Sequence, residues 1–255
     1  MTSQPDLAAT LSKVPAITLG FWAIKILATT LGETGGDTLS MTYDLGYLAS
    51  SVIFIVPLVL LVAAQIRAKG FHPALYWTTI IASTTAGTTM ADFATRSLGI
   101  GYTGGSALLL ALVLMSLLVW HRTMGTVSVN RIASARAEGF YWATITLSQT
   151  LGTALGDWAA DDGGLGYLGG ALVFGLIMTL LAGLYYFRAV SHVVLFWAAF
   201  IFTRPLGATV GDFLDKPLDQ GGLDFSRPVA SAVLLVAIVL MIWMLPQRPA
   251  EHTAD

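Results

Sequence analysis

The sequence predicts an all-α polytopic membrane protein. Eight transmembrane helices would form four tandem helix-pair repeats in the same orientation, with four polar inner helices ringed by four apolar outer ones. Three observations lead there: a composition too apolar for water, a fourfold internal repeat, and apolar runs of bilayer length. Of 255 residues, 55% are hydrophobic and 11% charged, and the mean hydropathy is +0.73. Soluble domains carry about a quarter charged residues. The net charge of -2 offers no basic surface to nucleic acid. With no cysteine, disulfides, thiolate metal sites and cysteine nucleophiles are excluded. Residues 1–14 lack the charged and apolar regions of a cleavable signal peptide, so none is expected.

The repeat is read from an aromatic–Trp pair that recurs as Phe21-Trp22, Tyr76-Trp77, Tyr141-Trp142 and Phe196-Trp197. Ten residues after each Trp stands a glycine: Gly32, Gly87, Gly152 and Gly207. Fifteen after it stands an aspartate: Asp37, Asp92, Asp157 and Asp212. The residue before each aspartate is small (Gly36, Ala91, Gly156, Gly211), and successive tryptophans lie 55, 65 and 55 residues apart. Tyr47, Tyr102 and Tyr167 follow the first three aspartates by ten residues; the fourth copy has Phe225 thirteen after Asp212, so its loop is longer.

Each repeat holds two apolar runs. In order they cover 15–31 and 47–64, 74–86 and 106–120, 140–151 and 167–187, 190–201 and 228–245. A spanning helix needs about 20 residues, so each first run reaches that length only with its glycine–aspartate motif. The motif therefore belongs to the helix or to its broken end. The second runs are almost wholly apolar, as lipid-facing helices would be. One membrane domain follows: an N-terminal tail at 1–14, repeats at 15–70, 71–125, 126–188 (with its preceding loop) and 189–246, and a C-terminal tail at 247–255. The tails and the connections between repeats carry Lys13, Arg67, Lys69, Arg122, Arg131, Arg136, Arg188 and Arg248, against Arg96, Lys216 and Arg227 on the other side. That bias predicts that both termini are cytoplasmic.

Trp22, Trp77, Trp142 and Trp197 are expected at the cytoplasmic interface, as interfacial aromatics tend to be. Fifteen residues at about 1.5 Å each would then hold the aspartates within the membrane. Near each aspartate on the helical wheel fall position +7 after the Trp (Thr29, Thr84, Gln149, Arg204), position +8 (Thr30, Thr85, Thr150, Pro205) and position +11 (Glu33, Thr88, Thr153, Ala208). A charged side chain facing lipid costs about 2.5–3.5 kcal/mol, so these polar stripes should face one another or a watery cavity. The pairs Gly32/Gly36, Gly87/Ala91, Gly152/Gly156 and Gly207/Gly211 form G-x-x-x-[GA] motifs that let backbones approach closely. Lys25 and Arg204 each occur in one copy only, and one of them is expected to neutralise a motif carboxylate. Asp161, Asp162, Asp215, Asp219 and Asp224 are expected in solvated loops, adding a potential attractive to cations.

The pattern [FY]-W … G-x-x-x-[GA]-D, four times over, resembles a bacterial membrane-protein family of unknown function built from four tandem two-helix repeats, each bearing a Trp. That resemblance covers roughly residues 15–245 and implies an architecture without a chemistry. The stretch ETGGDTLS (33–40) is also similar to the E-x-G-D-[KR]-[ST] motif of helix-pair cation exporters. It differs in the extra Gly36 and in having no base after Asp37, and the other copies lack the glutamate.

The residues point to an inner-membrane transporter of a small ion, a divalent cation such as manganese being favoured. Asp37, Asp92, Asp157, Asp212 and Glu33 would bind it, with Thr30, Thr85 and Thr150 as further oxygen ligands. Its expected partners are the lipid bilayer and that ion as substrate, with no nucleic acid and no cofactor. A passive channel along the pseudo-fourfold axis and a non-transporting scaffold or sensor are the alternatives. His72, His121, His192 and His252 show no zinc-binding spacing, and no nucleophile–base set shares a depth, so no enzyme is expected.

Overall fold

The computed structural model describes residues 11–129, 132, 134–188 and 190–251. Arg131 and His252 lie outside them, as do the ends of both tails. Eight α-helices follow in order: α1 (Leu19–Asp37), α2 (Gly46–Arg67), α3 (Pro73–Asp92), α4 (Gly101–Met124), α5 (Ala135–Asp157), α6 (Gly166–Tyr186), α7 (His192–Asp215) and α8 (Arg227–Met244). Local chemistry sets several starts. The Thr18 hydroxyl accepts from the Phe21 N–H at 3.2 Å, and the Ser134 hydroxyl accepts from the Ala137 N–H at 3.2 Å. Pro73 opens α3, where its missing N–H has no helical partner to lose.

Helices α1, α3 and α5 end on the repeated aspartate. The chain then widens into one π-helical turn, at Thr38–Thr42, Phe93–Ser97 and Trp158–Asp162. Bonds spanning five residues close these turns: Tyr43 N–H to the Thr38 carbonyl at 3.0 Å, Leu98 to Phe93 at 2.9 Å and Gly163 to Trp158 at 2.7 Å. Such turns often mark functional positions in helices. The return into the second helix uses a left-handed residue each time: Gly46, Gly101 and Gly166 have φ of 71°, 74° and 63°, where a Cβ would be strained. Repeat 4 differs. Helix α7 runs three residues past Asp212, and the chain leaves it extended at Lys216.

Helices α1, α3, α5 and α7 pack in a closed cycle, α1 on α3, α3 on α5, α5 on α7 and α7 on α1. Each even-numbered helix packs mainly on the first helix of the next repeat: α2 on α3, α4 on α5, α6 on α7, and α8 back on α1. A repeat is thus no self-sufficient hairpin; its second helix finds its partner one repeat on. The opposite faces of these helices remain exposed and apolar, with Val52, Val56 and Leu60 on α2, Leu172, Leu176 and Leu180 on α6, and Val233, Val236 and Val239 on α8. An apolar surface of this kind calls for lipid or a partner. Among the described residues, α2, α4, α6, α7 and α8 are long and apolar enough to cross a membrane. The other three helices carry polar stripes. Strands β1 (Leu11–Pro15) and β2 (Pro249–Glu251) pair antiparallel, so the segments flanking the helical bundle meet at one end.

Candidate functional site

The four cyclically packed helices present side chains in layers four residues apart. Above the aromatic layer lie Lys25, Ile80, Ile145 and Phe200, then Thr29, Thr84, Gln149 and Arg204, then Glu33, Thr88, Thr153 and Ala208, and finally the four aspartates, all of them buried. Contacts pass from each repeat to the next. The ring of Phe21 meets Trp77 at 5.4 Å, Tyr76 meets Trp142 at 5.7 Å, Tyr141 meets Trp197 at 6.4 Å, and Phe196 closes on Trp22 at 6.0 Å. The expected interfacial position of the tryptophans therefore needs correction. Trp77, Trp142 and Trp197 are buried and Trp22 half-buried, because each indole fills the gap beside the preceding repeat's aromatic ring. Indole N–H groups find partners there, Trp77 on the Gln247 side-chain oxygen at 3.0 Å and Trp197 on the Val127 carbonyl at 2.9 Å.

The motif glycines are notches for the neighbouring repeat. A Cβ on Gly32 would collide with Thr84, one on Gly152 with Arg204 and one on Gly207 with Thr29. On Gly87 it would stand 2.9 Å from the Gln149 carbonyl carbon. The second small residue receives the next layer: a Cβ on Gly36 would lie 2.9 Å from Thr88, on Gly156 3.1 Å from Ala208, and on Gly211 2.7 Å from Glu33. Close backbone approach brings the polar layers together across the axis.

Arg204 occupies that axis. Its guanidinium lies 2.9 Å from Glu33 Oε2 and donates to Thr153 Oγ1 at 2.6 Å, to Thr88 Oγ1, and to the Thr29 carbonyl at 3.3 Å. The predicted base–acid pairing thus occurs between repeats 4 and 1, on the one-copy glutamate. Lys25 meets no carboxylate among the described residues; its Nζ stands 3.6 Å above the Phe200 ring centre, a cation–π contact.

Two bases that the sequence placed merely at helix ends organise the aspartates. Arg96 bridges Asp92 at 3.1 Å and Asp157 at 3.2 Å; Lys216 bridges Asp212 at 2.9 Å and Asp37 at 3.0 Å. Both stand nineteen residues after their Trp and four after their aspartate, a column completed by Met41 and Asp161. Recurrence at that offset in alternate repeats was the available signal. Arg227 approaches Asp37 at 3.8 Å and Asp215 at 3.4 Å.

Asp215 corrects the expectation of a solvated acid. It is buried, because α7 lacks the π-helical turn and carries it inward, whereas Asp161, Asp162, Asp219 and Asp224 are exposed. Thr30, Thr85 and Thr150, the expected further oxygen ligands, are held by their own helices. Their hydroxyls donate to the carbonyls of Ile26 at 3.0 Å, Ile81 at 2.8 Å and Thr146 at 2.9 Å. A carbonyl four residues back satisfies a helical threonine locally, and the layers facing the axis are those at +7 and +11 instead.

The aspartates therefore form two bridged pairs, and one pair is richer in acid. Glu33, Asp37 and Asp212 each offer a carboxylate oxygen, all within 4.8 Å of one another. Asp37 Oδ1 is buried there without a hydrogen-bond partner among the described residues. Among those residues, Glu33, Asp37, Asp92, Asp157, Asp212 and Asp215 face only Arg96, Arg204, Lys216 and Arg227. Six carboxylates against four bases leave a formal charge of about -2, which a buried site tolerates poorly without a counter-ion. An open cavity of about 600 Å³ lies beyond this layer, and all four residues of the +19 column (Met41, Arg96, Asp161, Lys216) line it together with Tyr167 and Arg227.

Fold and site together define an all-helical protein of four helix-pair repeats with membrane-grade apolar helices and a buried, bridged carboxylate cluster. Residues 20–71, 75–126, 140–191 and 195–248 each match the family profile described as Repeat of Unknown Function (DUF347). The chain belongs to that family. No curated protein and no solved structure matches it.

Proposed function

We propose that the protein is a transporter of the bacterial inner membrane that moves a divalent cation, manganese being favoured, through the Glu33–Asp37–Asp212 cluster. In this reading all eight helices cross the bilayer. Helices α1, α3, α5 and α7 are shielded within, α2, α4, α6 and α8 face lipid, and both termini are cytoplasmic. The polar-striped helices have 19 to 24 residues, enough for a core of about 30 Å. The observation that carries the reading is a set of three buried carboxylates spaced for one ion, with an orphaned oxygen of Asp37 among them, in a layer whose six acids outnumber its four bases. An oxygen-only donor set suits a hard ion such as Mn²⁺ or Mg²⁺.

The cavity opens on one side of the cluster, lined by Lys216, which holds Asp37 and Asp212. Below the cluster the axis is filled by Arg204 and its partners, then by the aromatic layer, where Tyr76 and Tyr141 hydroxyls meet at 2.6 Å. A site open to one face and closed to the other suits a carrier of alternating access more than a passive channel. The cavity descending to Arg96 and Lys216 weighs against a scaffold whose acids merely end helices. Asp37→Asn and Asp212→Asn are expected to return the manganese content and manganese tolerance of expressing cells to those of cells lacking the protein. Wild-type values for both variants, at equal expression, would remove the reading.

A further inference from the structure

Building on the cation-transport reading, we infer that Lys216 is a tethered stand-in for the transported cation: its ammonium occupies the place between Asp37 and Asp212, and the arriving ion displaces it into the cavity above. Four observations support this. Lys216 Nζ lies 3.0 Å from Asp37 Oδ2 and 2.9 Å from Asp212 Oδ1, two of the three acids whose oxygens are spaced for one ion. Its backbone is held on both sides: the Lys216 N–H donates to the Asp212 carbonyl at 2.8 Å, and the Lys216 carbonyl accepts from the Asp224 N–H at 2.9 Å. A Cβ on Gly222 would lie 2.6 Å from the Lys216 carbonyl carbon, so the longer loop of repeat 4 closes against this residue. Finally, Lys216 lines the cavity, so the side chain has somewhere to go while its backbone stays.

The other bridged pair supplies the contrast. Arg96 holds Asp92 and Asp157 with a planar fork, meets no third acid among the described residues, and is flanked by the rings of Tyr47 at 5.9 Å and Tyr102 at 5.6 Å. A guanidinium forked onto two carboxylates is a permanent clamp, whereas an ammonium on a flexible stem is a point charge that can leave. The pairing is internal competition. The metal gains its ligands only in the fraction of molecules whose lysine is out, which weakens its apparent affinity by that fraction. Displacement exchanges one cation for another without leaving the carboxylates bare.

The test uses the whole protein purified in detergent, with MnCl₂ as the only added ligand. Calorimetry gives Mn²⁺ binding, and acetylation of lysines by a water-soluble succinimidyl ester, read by mass spectrometry, gives exposure of the Lys216 amine. With saturating Mn²⁺, Lys216 labelling should rise about tenfold, as when a ligand makes a one-in-ten conformer dominant, while labelling of exposed Lys69 stays constant. Lys216→Met should bind Mn²⁺ about tenfold more tightly by the same relation, and Lys216→Arg correspondingly more weakly. If Mn²⁺ binds and Lys216 labelling does not rise, the tether is overturned and the cation site stands. If folded wild-type protein binds no Mn²⁺, the cation reading falls and the tether with it. The labelling arm needs no variant, so a misfolded Lys216→Met leaves the test intact.

Discussion

Arg204 reaches all three other repeats at once: Glu33 and Thr29 in the first, Thr88 in the second and Thr153 in the third. It stands at the +7 position that Thr29, Thr84 and Gln149 fill in the other repeats. Removing one partner of a buried ion pair leaves the other uncompensated, at a cost of about 3–5 kcal/mol. Arg204→Met should therefore lower the thermal unfolding temperature in detergent markedly, and adding Glu33→Gln should recover part of the loss. Equal damage from the single and the double variant would mean that Arg204 acts by packing alone. The aspartates are legible in the sequence because they recur in all four copies. Arg96 and Lys216 are not, since each looks like a lone base at a helix end until the four copies are set side by side. Asp215 escapes its pattern because its neighbours in the loop are solvated, and the loss of one π-helical turn moves it inward.

Between elements, the glycines are where geometry is least forgiving. A methyl group on Gly87 would press on the Gln149 carbonyl carbon at 2.9 Å, a backbone atom that cannot rotate away. Overpacking of this kind costs about 1–3 kcal/mol. On α6, a methyl group added to Gly175 would meet nothing within 4 Å, and alanine there gains about 1 kcal/mol of helix propensity. Gly87→Ala is thus expected to lower the unfolding temperature and Gly175→Ala to leave it level or raise it; the reverse order would contradict the notch packing. Helix existence, order and approximate ends are readable from apolar runs and the recurring motif. What pattern alone does not give is the partner of each helix. An apolar face specifies burial but not against which neighbour, and α2, α4 and α6 choose the following repeat. The tryptophans depart from their expected place for a similar reason: an indole suits a membrane interface and a packed aromatic ring equally well.

At the scale of the whole molecule the four repeats behave as two halves. Bases at +19 occur in repeats 2 and 4 only, and each joins its own aspartate to that of the next repeat, Arg96 to Asp157 and Lys216 to Asp37. The Trp spacings of 55, 65 and 55 echo that pairing. Fourfold repetition builds the bundle, and twofold variation makes one pair a clamp and the other a candidate cation site. The orientation proposed for the bundle can be read directly because the chain has no cysteine. Asp44→Cys, in a connection between α1 and α2, should react with an impermeant maleimide added to intact cells stripped of their outer membrane. Lys69→Cys, between α2 and α3, should react only after lysis; the opposite pattern would invert the topology.

The most direct test of the cation site is Mn²⁺ flux into liposomes carrying the purified protein and an entrapped fluorophore that manganese quenches. Wild-type protein should give saturable quenching, and Asp37→Asn and Asp212→Asn should reduce it to the rate of empty liposomes. Quenching by both variants at the wild-type rate, or none by folded wild-type protein, would contradict transport through this cluster.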